Sequence, residues 1–276
     1  MLSILAAVAS PVGQELINQF GWQTARAALS IVTTVLSVVL TVAFVRKSPS
    51  VMGLLPFGAG EKDASDDKLA AAPEADEGAT VAQAIKSPGL YLLILVACIF
   101  VMCAAFFQQI PAFAAHGALG ASAGAMAVSI IMVGGVVFKL LLGALNDKIG
   151  VKFTGIIAAA CGAIGILLAY IAGENVALFY AGMVVFGGGY AGLTVIAPML
   201  ARAAFGSLNY SQIYSWVSTG IFIATAVSFL VYGMIYDTTG SFDLCFILVI
   251  ALYVLAVVLV PITLALSQKS WKRSDR

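Results

Sequence analysis

One basic side chain stands inside an otherwise apolar stretch of this sequence. Lys139 lies in the run from Met132 to Gly143, about seven residues before a predicted polar turn, or roughly 10 Å along a helix. A cation at the centre of a membrane helix costs about 2.5–3.5 kcal/mol on insertion scales, so it should face a bundle interior or a wet cavity. An anionic ligand would offset that cost, which makes Lys139 a candidate anion-binding residue. The alternative is a lysine whose long side chain reaches back to the membrane surface.

The polar turn after this lysine carries glycines and charges at regular spacing. Its sequence is GALNDKIGVK, and its carboxylate, Asp147, can meet helix N-termini or a nearby cation such as Lys152 or Arg202. Such a latch would stabilise one of two arrangements of a helix bundle. The alternatives are an ordinary polar turn and, for Arg202, an anchor at the membrane surface. The residues of this predicted gating motif are Gly143, Asp147, Lys148, Gly150, Lys152 and Arg202.

Aromatic and polar side chains at helical spacing can complete a substrate site. Phe186 and Tyr190 are one helical turn apart, and so are Tyr214 and Ser218. Gln108 lies near the end of an earlier apolar segment. The alternatives are aromatic rings that face lipid or the membrane interface, and a glutamine that hydrogen-bonds at a helix interface.

Membrane helices must position these residues. Of the 276 residues 62% are hydrophobic and 10% are charged, against usual shares of about 45–50% and 25%, and the mean hydropathy is +1.05. So few charges cannot cover the surface of a soluble protein, and the composition predicts an all-α polytopic membrane protein. Eight apolar segments of membrane length are predicted at roughly 1–19, 25–45, 90–110, 122–145, 153–172, 176–199, 212–236 and 244–267.

The basic residues predict the orientation of these helices. The polar stretch 46–88 offers no apolar face to bury, so we expect a flexible loop with at most short, marginal helix. If this loop is cytoplasmic, alternation of the helices places twelve of the fourteen basic residues on the cytoplasmic side. Both termini would then be cytoplasmic, in the plasma or inner membrane of the cell.

The remaining composition disfavours other functions. The net charge of +1 gives no field that would attract nucleic acid. One histidine, and four cysteines that all lie within apolar runs, predict no metal site, no cofactor and no catalytic cluster. We therefore expect a protein that is not an enzyme, with the lipid bilayer and a small solute as its partners.

The pattern GxLxDKxGxK from Gly143 to Lys152 resembles the loop signature of the major facilitator superfamily. Further local matches resemble its oxalate/formate antiporter and monocarboxylate transporter branch, and they occur in the same order along the chain. The matching pieces are Ser10-Pro11 with Phe20-Gly21-Trp22, then Ala197-Pro198, Phe205-Gly206, Asn209 to Tyr214, Gly233, and Tyr236 to Phe242.

This resemblance implies a partial major facilitator fold of about eight transmembrane helices, equivalent to helices five to twelve, with the first four absent. The implied parts are 1–45 as two helices of the amino-terminal bundle, 46–88 as the cytoplasmic central loop, 89–268 as the six-helix carboxy-terminal bundle and 269–276 as a cytoplasmic tail.

For function, the resemblance implies transport of a small organic anion by alternating access, as antiport or symport, with Lys139 as a substrate-binding cation and the Phe186 and Tyr190 pair lining the cavity. This chain departs from the branch at two positions. Gly135 replaces the acid of proton-coupled carriers, and Val217 replaces the second cation of oxalate carriers. A single cation favours a monocarboxylate over a dianion. A carrier of an uncharged or drug-like solute and a truncated, non-transporting membrane protein remain alternatives.

Overall fold

A computed structural model of the chain describes residues 21–24, 26–41 and 78–272. The chain divides into two compact units, Met1–Ala75 and Asp76–Arg276. In the first unit the structure describes one helix, α1 (Gly21–Thr41), which is long and apolar enough to cross a membrane. The predicted segment 1–19, most of the loop 46–88 and the last four residues of the tail lie outside the described residues.

Helices make up nearly all of the described part of the second unit, which confirms the all-α prediction. A 3₁₀ turn joins α3 to α4, and the span from Pro88 to His116 is long and apolar enough to cross a membrane, as are the four helices that follow it. The helices are α2 (Val81–Lys86), α3 (Pro88–Ala105), α4 (Ile110–His116), α5 (Ala121–Ile171, with arms α5a, 121–149, and α5b, 151–171), α6 (Val176–Phe205), α7 (Tyr210–Thr239) and α8 (Asp243–Lys272).

The two arms of α5 form a hairpin. Gly150, between them, has φ 79° and ψ 164°, a conformation open to glycine and unfavourable for other residues. A methyl group on Gly188 of α6 would lie 3.0 Å from both Phe138 in α5a and Cys161 in α5b. Residues at nearly equal distances before and after Gly150 therefore lie side by side, so the arms are antiparallel. With this hairpin the second unit contains six helices of membrane length in its described part.

The helix ends of this unit fall into two groups. We call one the Gly150 end; it includes Gly206 at the end of α6, where the Ala79 N–H donates a hydrogen bond of 2.8 Å to the Phe205 carbonyl. The other is the Gly240 end, where the ring centroids of Phe113 in α4 and Phe242 are 6.2 Å apart. All membrane-length helices of this unit run between these two ends.

Part of the predicted flexible loop is structured at the Gly150 end. Thr80 caps α2 through a capping box with Gln83, in which each side chain bonds the other residue's backbone N–H. Ala79 is fully buried. A methyl group on Gly78 would lie 2.6 Å from the Phe205 carbonyl oxygen, so this approach requires glycine. Residues 78–88 therefore belong to the bundle.

Small residues allow the helices to approach closely at the centre of the bundle. Gly187 of α6 packs on the backbone of α5a, since a methyl group added to it would lie 2.9 Å from the carbonyl carbon of Gly134. A methyl group on Gly192 would lie 2.8 Å from the ring of Phe100 in α3. Together with the Gly188 contacts, this shows that Gly188 and Gly192, one helical turn apart, allow close helix packing.

Tyr253 of α8 fills the space that two of these glycines leave. It is fully buried against Gly162 of α5b and Gly189 of α6. Phe100 and Phe186 pack edge-on to its ring, with centroids 6.1 and 6.4 Å away. Such edge-to-face pairs add to the stability that burial provides. This aromatic cluster joins α8 to α3, α5b and α6.

Candidate functional site

Lys139 lies deeper in the bundle than the sequence predicted. The helix α5a continues through Asp147 to residue 149, and only Gly150 leaves the helical conformation. Lys139 therefore lies eleven residues before the turn, which is about 16 Å along a helix. That distance is about half of a hydrocarbon core of roughly 30 Å.

The lysine side chain points away from the Gly150 end. Its ammonium nitrogen lies over the ring of Tyr190 on α6, 5.8 Å from the ring centroid. Side chains on a helix lean toward its N-terminus, which for α5a is the Gly240 end. Both side chains are partly buried. This arrangement disfavours the alternative in which Lys139 reaches back to the membrane surface.

Gly135 makes room for the tyrosine ring. It lies one helical turn before Lys139, and a methyl group on it would lie 3.2 Å from Cδ1 of Tyr190. This is the position at which the resemblance described above implies an acid in proton-coupled carriers. An aspartate or glutamate here would displace the ring, so the glycine at 135 and the position of the ring over the lysine belong to one arrangement.

Lys139, Tyr190 and Phe107 form a group that we call the Lys139 cluster. The sequence analysis did not identify Phe107. Its ring lies edge-on to Tyr190 with centroids 5.4 Å apart. It lies in the 3₁₀ turn Phe106–Gln109, where the Ile110 N–H donates to the Phe107 carbonyl. Pro111 has no N–H with which to make the α-helical bond to that carbonyl, which favours the tighter turn. Pro111, four residues after Phe107, is the sequence feature that indicates this turn.

Lys139 has no acidic partner in the part of the chain that the structure describes. The carboxylates of the second unit that can be located lie at helix ends and are exposed, and none of them contacts this lysine. Within the described residues, the Lys139 ammonium group makes a cation–π contact with the Tyr190 ring. The described carboxylates are Asp147, Glu174, Asp237 and Asp243.

Phe186 departs from its predicted place beside the cavity. It is fully buried, and a methyl group on Gly165 of α5b would lie 2.6 Å from its Cα. Residues four apart differ by about 40° around a helix, because each residue turns by 100°. This offset turns Phe186 toward α5b and α8, whereas Tyr190 reaches α5a.

The other predicted substrate residues do not contact Lys139. Gln108 is exposed, next to Phe107. The ring of Tyr214 stacks on that of Tyr210, with centroids 5.5 Å apart. The Tyr210 hydroxyl donates a hydrogen bond of 3.5 Å to the Pro198 carbonyl. Pro198 is two helical turns from Tyr190 toward the Gly150 end, so Tyr214 lies nearer that end. Ser218, one turn farther along α7, is partly buried.

The predicted gating motif lies at the Gly150 end, and the described residues form no latch there. Within the described residues, Asp147 has no cation within 4.0 Å, and the Lys152 ammonium instead lies 5.6 Å from the centroid of the Phe153 ring. A methyl group on Gly143 would meet open space, so no close packing in this unit requires a glycine there. The charged members, all exposed, are Asp147, Lys148, Lys152 and Arg202.

A separate groove of about 420 Å³ runs between α5a and α6. Val133, Val137 and Val184 line it, and its other lining residues are also uncharged. Lys139 is not part of its lining. The apolar groove and the Lys139 cluster are therefore distinct features of the α5a and α6 pair.

A search of curated proteins finds no match. The family model of the Major Facilitator Superfamily matches residues 111–274, which is 164 of the 276 residues. With this match and its helices of membrane length, the chain belongs to the major facilitator superfamily of membrane transporters.

Proposed function

We propose that this transporter moves a small organic anion, a monocarboxylate, and that Lys139 binds its carboxylate. The observation that carries the proposal is a lysine about 16 Å from the Gly150 turn, held over Tyr190 without a carboxylate partner in the described residues. Charged side chains at such depth are rare and serve substrate or ion pathways. A carboxylate supplies the counter-charge that Lys139 lacks.

The charge of the site favours a monoanion. From Gly89 to Ser267 the basic residues are Lys139, Lys148, Lys152 and Arg202, and the last three lie at the Gly150 end. One cation therefore faces the substrate within this stretch. A dicarboxylate would bring a second charge into an apolar environment without a partner, which is costly.

The aromatic rings favour a small substrate with an apolar part. Tyr190, over which the lysine lies, meets Phe107 edge-on, and Gly135 contributes no side chain of its own. A carboxylate on the ammonium group would place its substituent against these rings. Short-chain monocarboxylates combine such a charge with a small apolar group.

The proposed mechanism is alternating access, in which two bundles rock around a site near the membrane midplane. The exposed charges of the gating motif would then form and break contacts with the facing bundle at the Gly150 end. In the described second unit, exposed cations occur only at this end, whereas Glu174, Asp237 and Asp243 lie at the Gly240 end. This asymmetry supports a cytoplasmic Gly150 end in the cell membrane.

A counterflow experiment tests the proposal. The full chain is reconstituted into liposomes loaded with lactate, pyruvate, formate or oxalate, and uptake of the labelled compound is measured. We expect exchange of at least one monocarboxylate that exceeds oxalate exchange, a loss of at least tenfold in Lys139→Gln, and retention in Lys139→Arg. Lys86→Gln, an exposed cation at the Gly150 end, is the matched control. Unchanged exchange in Lys139→Gln, preference for oxalate, or no exchange of any compound would contradict the proposal.

A further inference from the structure

A second groove opens at the Gly150 end of the bundle, away from the Lys139 cluster. It has a volume of about 420 Å³, within the roughly 300–1,000 Å³ of small-molecule sites. The hairpin turn of α5, the end of α6 and the last third of α8 form its walls. Its lining includes Ile149, Lys152, Phe153, Ala203, Pro261 and Leu264.

The groove is a wedge that closes toward the bundle centre. At Gly155, one helical turn beyond the turn of α5, a methyl group would lie 2.9 Å from Val260 of α8 and 3.3 Å from Ile196 of α6. The three helices therefore touch at this level and diverge toward the Gly150 end. Leu264 is nearly buried, whereas Ile149 and Phe153 are 41% and 54% exposed. The walls are mostly apolar, and they open at the Gly150 end, where the hairpin of α5 turns and α6 ends.

A positive charge borders the open side of this wedge. Lys152 lines the groove with its ammonium nitrogen 5.6 Å from the centroid of the neighbouring Phe153 ring. In the described chain no carboxylate oxygen lies within 4.0 Å of it. Arg202 is adjacent in sequence to Ala203 of the groove wall and is exposed. The site thus combines an apolar wedge with one lining cation at its mouth, Lys152, which has no carboxylate partner among the described residues.

We propose that this groove binds a phospholipid with an anionic headgroup, with an acyl chain in the wedge and the phosphate near Lys152. The two halves of the site fit the two halves of such a lipid. Basic pockets between membrane helices bind anionic headgroups, and each lysine or arginine near the surface contributes about fivefold in affinity. A soluble phosphate compound would leave the apolar walls exposed to water, so the lipid is the occupant that both features require.

Native mass spectrometry of the full chain tests this site without a transport assay. The protein is purified in detergent with equal amounts of dioleoyl phosphatidylglycerol and dioleoyl phosphatidylcholine, and the ratio of the two bound lipids is measured. We expect about fivefold preference for phosphatidylglycerol in the wild type. We expect a ratio near one in Lys152→Gln. Ala265 of α8 also lines the groove, so Ala265→Trp should fill the wedge and lower the binding of both lipids.

Two controls separate this site from other sources of binding. Lys148→Gln removes a charge at the same end, but Lys148 does not line the groove, so its lipid ratio should stay near that of the wild type. Equal losses in Lys148→Gln and Lys152→Gln would indicate diffuse surface charge and overturn the proposal. Millimolar glycerol 3-phosphate should not displace the bound lipid; displacement would show a headgroup site without an acyl chain and would also overturn it.

Discussion

The ammonium nitrogen of Lys139 lies 5.8 Å from the centroid of the Tyr190 ring, and this lysine is about 16 Å along its helix from the Gly150 turn. A cation over an aromatic ring gains about 0.5–2 kcal/mol. A central lysine costs about 2.5–3.5 kcal/mol on insertion scales. The ring therefore offsets only part of the cost. The remainder is the reason to expect an anion at this position during the transport cycle.

The first prediction concerns the ring itself. Tyr190→Phe keeps an aromatic ring face under the Lys139 ammonium group, so the affinity for a carboxylate should stay within about twofold of the wild-type value. Tyr190→Leu removes the face and should weaken binding by about two- to tenfold. Isothermal titration calorimetry with the purified full chain measures both. Equal affinities in the two variants would show that the ring does not position the lysine.

The second prediction concerns Gly135. Gly135→Asp would push the Tyr190 ring aside and place a carboxylate one helical turn from Lys139, where the two side chains can pair. The internal carboxylate would then compete with the substrate, and we expect at least a tenfold loss in carboxylate affinity.

Gly135→Ala is the matched control for that variant, because it crowds the same ring without adding charge. A methyl group 3.2 Å from Tyr190 requires only a small shift of the ring, so its loss should be smaller than threefold. Equal losses in both variants would contradict the competition between the two carboxylates.

The third prediction concerns the buried hydroxyl of Tyr253. It is fully buried, and no hydrogen-bond partner for it is found among the described residues. An unsatisfied buried polar group costs about 1–3 kcal/mol. Tyr253→Phe should therefore stabilise the protein by about 1 kcal/mol, measured as unfolding in mixed micelles. Tyr253→Leu, which leaves a cavity among the rings, should destabilise it by about 2 kcal/mol or more. A destabilised Tyr253→Phe would show that the hydroxyl has a partner.

The fourth prediction concerns the glycine contact between α5a and α6. Gly187→Val would force atoms into the backbone of Gly134 and should destabilise the bundle by about 1–3 kcal/mol. Gly143→Ala is the control, since its methyl group meets open space. Alanine also favours a helix over glycine by about 0.5–1 kcal/mol, so this variant should be neutral or stabilising. Thermal unfolding in detergent measures both, and equal effects would contradict the packing role of Gly187.

The sequence predicted the helices and the lysine within one of them because both are strong local signals. Apolar runs of about 20 residues are sufficient to identify membrane helices. Lys139 stands out because its neighbours are apolar. The close contacts of Gly188 and Gly192 were also predictable, because glycines four residues apart share one helix face.

Other features depend on rotation and on partners distant in sequence. Periodicity placed Phe186 and Tyr190 on one face, but an offset of 40° decides which neighbouring helix each residue meets. The contact of Phe107 with Tyr190 joins residues 83 positions apart. Pro111 indicates the tight turn that holds Phe107, but nothing local indicates the contact itself. The depth of Lys139 was underestimated because the polar residues before Gly150 continue the helix instead of ending it.

The most direct test of the Lys139 assignment compares a carboxylate with its neutral isostere. Titration of the full chain with lactate and with lactamide gives the ratio of the two affinities, which isolates the contribution of the charge. We predict that the wild type prefers lactate by at least tenfold, that Lys139→Arg keeps most of this preference, and that Lys139→Gln binds both equally weakly. An unchanged preference for lactate in Lys139→Gln would show that another residue binds the carboxylate and would contradict the account.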